Sequence, residues 1–172
     1  MATKLTTYTA SHVANFMLDR ADQEGRPITQ MKLLKLVYIA YGWYFSLKGE
    51  KLFDEPIYAW QHGPVIRSLY DEFKHFRKHS IDQRSIEFDL DNFDISIPRI
   101  TKEDDDATII LSRVWDIYKV FSAWQLREKT HEPDTPWSAV YEEGVRNREI
   151  SDDHIRTHFD KKIDSYLSAA TQ

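Results

Sequence analysis

A chain of 172 residues that is 41% hydrophobic and 13% aromatic carries too much apolar surface to stay disordered, and enough to bury the core of one domain. The net charge of −5 disfavours a partner held by phosphate contacts, so nucleic acid is not expected, and the complete lack of cysteine excludes disulfides, thiolate metal sites and cysteine nucleophiles. No window holds the ~18 apolar residues of a membrane span, and "MATKLTTYTASHVANF" lacks the apolar run of a leader, so a cytoplasmic domain is expected.

"TASHVANFMLDRADQEG" reads as a first helix, capped by Thr9 or Ser11, with Val13, Phe16, Met17 and Ala21 on one face and Gly25 as its stop. Thr29 caps a second, "QMKLLKLVYIAYGWYFSLKG". Its apolar residues run almost all round, the mark of a central, buried helix ending at Gly49. "LFDEPIYAW" is short and β-prone and predicts an extended segment. The next step, "WQHGPV", predicts a turn in which Pro64 occupies the first position of a helix carrying Leu69, Tyr70 and Phe73. "SIEFDLDNFDISIPRI" alternates apolar and polar residues on both sides of Asp91-Asn92 and predicts a small hairpin. Thr101 to Asp104 then reads as a cap with acids in the first turn, and Ser122 and Gln125 have capping-box spacing. Thr135-Pro136 opens a short helix with Gly144 at its far end. Ser151 caps the last helix, whose stripe is Ile155, Phe159, Ile163, Tyr166 and Leu167. The expected architecture is mainly α: a single compact domain over residues 1–172, with about six to seven helices and a minor β element.

Candidate chemistry is sparse. His62 beside Gly63-Pro64 can act as an acid or base with Asp54, Asp71 or Glu72, yet no spacing brings them together, and a plain turn explains "HGPV" better. His75/His79 and His154/His158 have i,i+4 spacing but lack the glutamate of a zinc-protease helix, so exposed histidines are favoured. The four acids from Glu103 to Asp106 lack the ligand pattern of a calcium loop and suit a helix start. "THEPDTPW" places His131, Glu132 and Asp134 in one short loop capable of acid–base work. A Pro-punctuated turn packed down by Trp137 accounts for it more simply. There is no phosphate loop, dinucleotide fingerprint or nucleophile elbow. No catalytic residue, cofactor site or metal site is assigned, and an enzyme is not expected.

Taken together, the motifs have an order. Leu33, Lys35, Leu36, Tyr38, Ala40, Gly42 and Trp43 spell "LxKLxYxAxGW". Leu52-Phe53 follow, then Ala59, Trp60, Gly63, Pro64, Val65 and Tyr70 in an "AWxxGPV" step, and Thr130, His131, Pro136 and Trp137 in "THxxxxPW". Over roughly residues 10 to 160 the chain resembles the Panacea antitoxin domain family, the SocA-like or GepA-like phage-associated proteins. The stretch "KHSIDQRSIEFDLDNFDISIPRI" has no counterpart in that pattern.

The resemblance implies an antitoxin of a toxin–antitoxin system, in a prophage or similar setting, that binds a toxin encoded by the adjacent gene. It also implies that Lys35, Tyr38, Gly42, Gly63, Pro64, Val65, His131, Pro136 and Trp137 are scaffold. One member of the family works instead as an adaptor that presents its toxin to a ClpXP-type protease. A detoxifying hydrolase using His131 and Glu132 is the more distant alternative. Five Trp and nine Tyr leave rings to spare for a binding surface. The expected toxin contacts are Tyr58, Trp60 and Trp124, with Arg84, Glu87 and Asp89 of the predicted hairpin; a homo-oligomer is also compatible with the sequence.

Overall fold

Twelve consecutive residues of the second helix, Leu33 to Tyr44, are buried, as its all-round apolar pattern requires. The computed structural model describes residues 8–171. Residues 1–7, which begin the stretch read as lacking a leader, and Gln172 lie outside it. Around α2 (Gln30–Lys48) pack α1 (Ala10–Gln23), α3 (Arg67–Phe73), α4 (Asp105–Tyr118), α5 (Ala123–His131) and α7 (Asp152–Ala170). The short α6 (Pro136–Val140) contacts α5 and α7. Gly42 marks the closest approach of α7: a Cβ there would lie 2.2 Å from ring carbons of Phe159, so only hydrogen lets the two helices meet.

The helix ends follow local capping chemistry. Thr29 and Ser151 accept first-turn N–H bonds. Ser122 with Gln125 closes the expected capping box, and Thr135 caps α6 with Pro136 at its first position. Thr9 rather than Ser11 caps α1, and Asp104 caps α4. One termination differs from expectation. α6 stops at Val140, well before Gly144, because Tyr141 turns extended and sends the chain back across the sheet. In α7 the apolar stripe is buried through Ile163; Tyr166, partly exposed, packs edge-on against the buried Trp43, and Leu167 is exposed.

The extended segment is β1 (Ile57–Trp60), which pairs antiparallel with β2 (Gly63–Ile66) across the two-residue turn Gln61-His62. Pro64 therefore sits in a strand, and the helix predicted to start there begins at Arg67 instead. Proline's φ suits either role. The choice is made by residues 148–150, which pair with the other edge of β1: Ala59 N–H donates to Arg148 O at 2.8 Å and Ile150 N–H to Ile57 O at 2.8 Å. Because Ala59 points that way, its partner Pro64 faces outward from an edge strand, where a missing N–H breaks no ladder bond. The predicted second hairpin is β3 (Glu87–Asp89) and β4 (Asp94–Ser96), with Phe88 opposite Ile95.

Candidate functional site

The motifs that lie far apart in the chain meet at the β1–β2 turn. Lys35 of α2 is 1% exposed, and its Nζ donates to Pro64 O at 3.1 Å. Burial, helped by the positive charge of Arg127, pushes its amine down to about 7. Gly63 holds φ +106° directly above it: a Cβ there would lie 2.8 Å from both Lys35 Cε and Thr130 Oγ1. From the other side "THEPDTPW" clamps the turn. Trp137 Nε1 donates to Trp60 O at 2.7 Å, and the His131 ring packs tilted against Trp137 at 3.8 Å between centroids.

His131 Nδ1 lies 2.8 Å from Arg127 O, and Nε2 lies 3.0 Å from Gln61 O. Both ring nitrogens thus face backbone carbonyls, which leaves neither free to serve a substrate. Glu132 ends α5 and Asp134 sits at φ +62°; no hydrogen bond or ion pair joins either carboxylate to His131 among the described residues. His62 is exposed on the turn. Burial of its ring first, then the charges of Arg127, Lys35 and His131, lowers its affinity for a proton. Two of its candidate acids are engaged elsewhere: Asp71 pairs with Arg67 and Lys74, and Glu72 accepts from Ser85. His75 belongs to a 3₁₀ turn over Lys74–Phe76 and His79 lies beyond it, so these two do not share a helix face. Among the described residues no group of three or more His, Asp or Glu is placed to hold a metal ion.

Beside the turn opens a cleft of about 520 Å³ with Trp60, His62, Tyr70, Tyr141 and Arg146 on its walls and Lys35 at its floor. Trp60 meets Tyr70 edge-on at 4.8 Å, and the Arg146 guanidinium lies 5.4 Å over the Trp60 ring. Tyr58, also on β1, lines an adjoining hollow with Trp60 and Tyr70, so the structure brings these two expected contacts together. Trp124 stands on α5, largely exposed, with Arg127 stacked 4.6 Å over its ring.

Arg84 precedes the second hairpin rather than belonging to it. Its guanidinium is turned onto α1, where it binds Asp19 at 2.8 Å and also Asp22. Glu87 accepts from Thr9 Oγ1 at 2.9 Å, and Asp89 accepts from Asp91 N, Asn92 N and Asn92 Nδ2 within the turn. The residues left open are the alternating apolar ones, Ile86, Phe88, Leu90, Phe93, Ile95 and Ile97, all between 46% and 81% exposed. Sequence reasoning found this hairpin but not its orientation. The available signal was Leu90 and Phe93, two large apolar residues in a loop tip that no neighbour is placed to cover. A second residue it passed over is Asn15. Its side chain, fully buried on α1, donates to Ser85 O and Pro98 O at 3.0 and 2.9 Å and accepts from Ser85 N at 2.8 Å.

The residues that meet at the β1–β2 turn fall within a span shared with known proteins. The sequence model of the "Antitoxin SocA-like, Panacea domain" family matches residues 33–138, which span the α2 motif, the β1–β2 turn and the α5–α6 clamp. The chain belongs to the SocA-like Panacea family. It is similar to Antitoxin SocA of Caulobacter vibrioides (strain NA1000 / CB15N), at 32% identity over 134 residues, covering 76% of this chain and 69% of that protein. No solved structure matches the chain. In this Panacea domain Lys35, Tyr38, Gly42, Gly63, Val65, Pro136 and Trp137 are all buried, while His131 is half-buried. No helix among the described residues is long and apolar enough to cross a membrane.

Proposed function

We propose that this chain is an antitoxin that neutralises a cognate protein toxin by binding it directly, in the cytoplasm, as one Panacea domain over residues 1–172. Membership of the SocA-like family carries the reading, and a relative named as an antitoxin that aligns along three-quarters of the chain supports it. The local chemistry agrees. The His131 ring nitrogens face backbone carbonyls rather than a pocket, and the surface offers exposed apolar and aromatic side chains of the kind that binding uses.

Co-expression with the protein encoded by the adjacent reading frame tests this. The neighbour alone is expected to arrest growth; with this chain present, growth returns and the two proteins co-purify. Rescue that disappears in a host lacking a ClpXP-type protease would assign the adaptor mode instead. A harmless neighbour that does not co-purify would overturn the antitoxin reading.

A further inference from the structure

The second hairpin is built inside out. In an ordinary half-buried hairpin the apolar face meets the core and the polar face meets water. Here the register pairs Phe88 with Ile95 and, continued by one residue, places Ile86 beside Ile97, so these side chains share a face with Leu90 and Phe93 beyond the strand ends. Phe88 and Phe93 touch at 6.4 Å between centroids. That shared face is the one left open. The opposite face carries Glu87, which is held to Thr9 at the start of α1. Six large apolar side chains, each at least 46% exposed, share this face, and a contiguous exposed apolar patch marks an interaction site.

The hairpin is also held in place. Asn15 ties Ser85 at the foot of one strand to Pro98 at the foot of the other. Arg84 and Arg99 both reach Asp19 on α1, and Ser85 Oγ lies 2.7 Å from Ser11 Oγ and from Glu72 Oε2. An apolar face presented on a fixed base loses little entropy when it binds.

The charge around it selects the occupant. Residues 85–98 contain four carboxylates and no Lys or Arg: Asp91 at the tip, and Glu87, Asp89 and Asp94 on the side opposite the apolar face. The acids at the start of α4 adjoin them, since Tyr8 donates to Asp104 at 2.9 Å while its neighbour Thr9 donates to Glu87. The negative field of this thin hairpin repels an anionic lipid surface and a second copy of this chain, and it matches a protein whose apolar patch is framed by Lys and Arg. We infer that the apolar face of β3–β4 is the toxin-docking surface, and that it seats a basic-rimmed patch on the toxin. This inference rests on the antitoxin reading above.

The test uses the full chain and the adjacent-frame protein as probe. Phe88→Ser/Phe93→Ser, and separately Leu90→Ser at the loop tip, alter exposed positions and should leave the melting temperature unchanged. The double variant is expected to weaken binding about 100-fold and the single one about tenfold, with loss of growth rescue. Trp124→Ala, on α5, should leave affinity as it is. Asp91→Lys/Glu103→Lys should slow association about tenfold at low salt, a difference that fades as salt is raised. If wild type binds and rescues but the serine variants bind within about threefold of it, the docking surface lies elsewhere while the antitoxin reading stands. An unchanged association rate in the lysine variant overturns the basic rim. Dimerisation of the chain alone, abolished by Phe88→Ser/Phe93→Ser without loss of rescue, makes this a self-association face and overturns the inference. Failure of wild type to bind or rescue removes both readings together.

Discussion

β1–β2 and β3–β4 are both two-stranded antiparallel hairpins, yet every residue of β2 is buried and every residue of β4 is exposed. The first is wedged between α2 and the α5–α6 clamp. Its turn is fitted to Lys35 beneath it and to His131 and Trp137 beside it. The second is held to the body at its base and its polar side, by Asn15, Arg84 and Glu87. One hairpin spends its side chains on the fold, and the other holds its apolar side chains clear of it. The contrast shows that strand alternation fixes which residues share a face but not which face turns inward. Long-range polar contacts decide that.

The sharpest way to break the first hairpin is Gly63→Ala. The new methyl group would combine a φ that L side chains rarely adopt with collisions at 2.8 Å against Lys35 and Thr130. A loss of about 3 kcal/mol is expected in thermal or urea unfolding. Replacing an exposed residue of the second hairpin, by contrast, should change stability by less than about 0.5 kcal/mol. If Gly63→Ala melts like wild type, the turn is not seated as described.

The matching change for the second hairpin is Asn15→Ala, which leaves Ser85 N–H, Ser85 O and Pro98 O without their shared partner. A cost of about 2 kcal/mol is expected. Hydrogen exchange gives the more telling readout. Protection should fall across residues 85–98 while the amides of β1 and β2 keep theirs. Equal loss in both hairpins would mean that Asn15 supports the whole core rather than a separable clasp.

Lys35→Met probes the floor of the first hairpin through pH. In the fold this amine titrates near 7, and in the unfolded chain near its ordinary 10.5. Between those values the unfolded chain holds the extra proton, so unfolding takes up a proton and stability rises with pH. Below about pH 7 both states are charged and the burial penalty is felt in full. Wild type should therefore gain about 2 kcal/mol relative to Lys35→Met between pH 7 and pH 9, measured by urea unfolding at each pH. A flat difference would show the lysine charged and stabilised within the fold.

How much of this was legible follows from range. Caps such as Thr29, Ser122 with Gln125, Thr135-Pro136 and Ser151 depend on residues three or four apart, so sequence spacing reveals them. The buried run of α2 and the position of β3–β4 were legible by period. Pro64 was ambiguous because its φ serves a helix start and an edge strand alike; the deciding partner, Arg148, lies more than eighty residues away. The exposure of Phe88 was hidden for the same kind of reason, since the Asn15 clasp closes across seventy residues. Family motifs identified Lys35, Gly63 and His131 as belonging together, but only the fold shows that they touch one turn.

His131→Ala separates the first hairpin's architecture from chemistry, and its effect should be the smallest of these. The ring lies between Arg127 O and Gln61 O and packs against Trp137, so its removal takes away a half-buried ring contact and a link between α5 and the β1–β2 turn. A loss of about 1 kcal/mol is expected, with the turn still held by Trp137 Nε1 on Trp60 O and by Lys35 on Pro64 O. Below its melting temperature the variant should still rescue growth and bind the adjacent-frame protein with wild-type affinity, because the proposed contact lies on the other hairpin. A catalytic His131 would give the reverse: an unchanged melting temperature, an intact complex or none at all, and no rescue. A His131→Ala chain that is as stable as wild type but inactive would therefore move the function from β3–β4 to the β1–β2 turn, and from binding to chemistry.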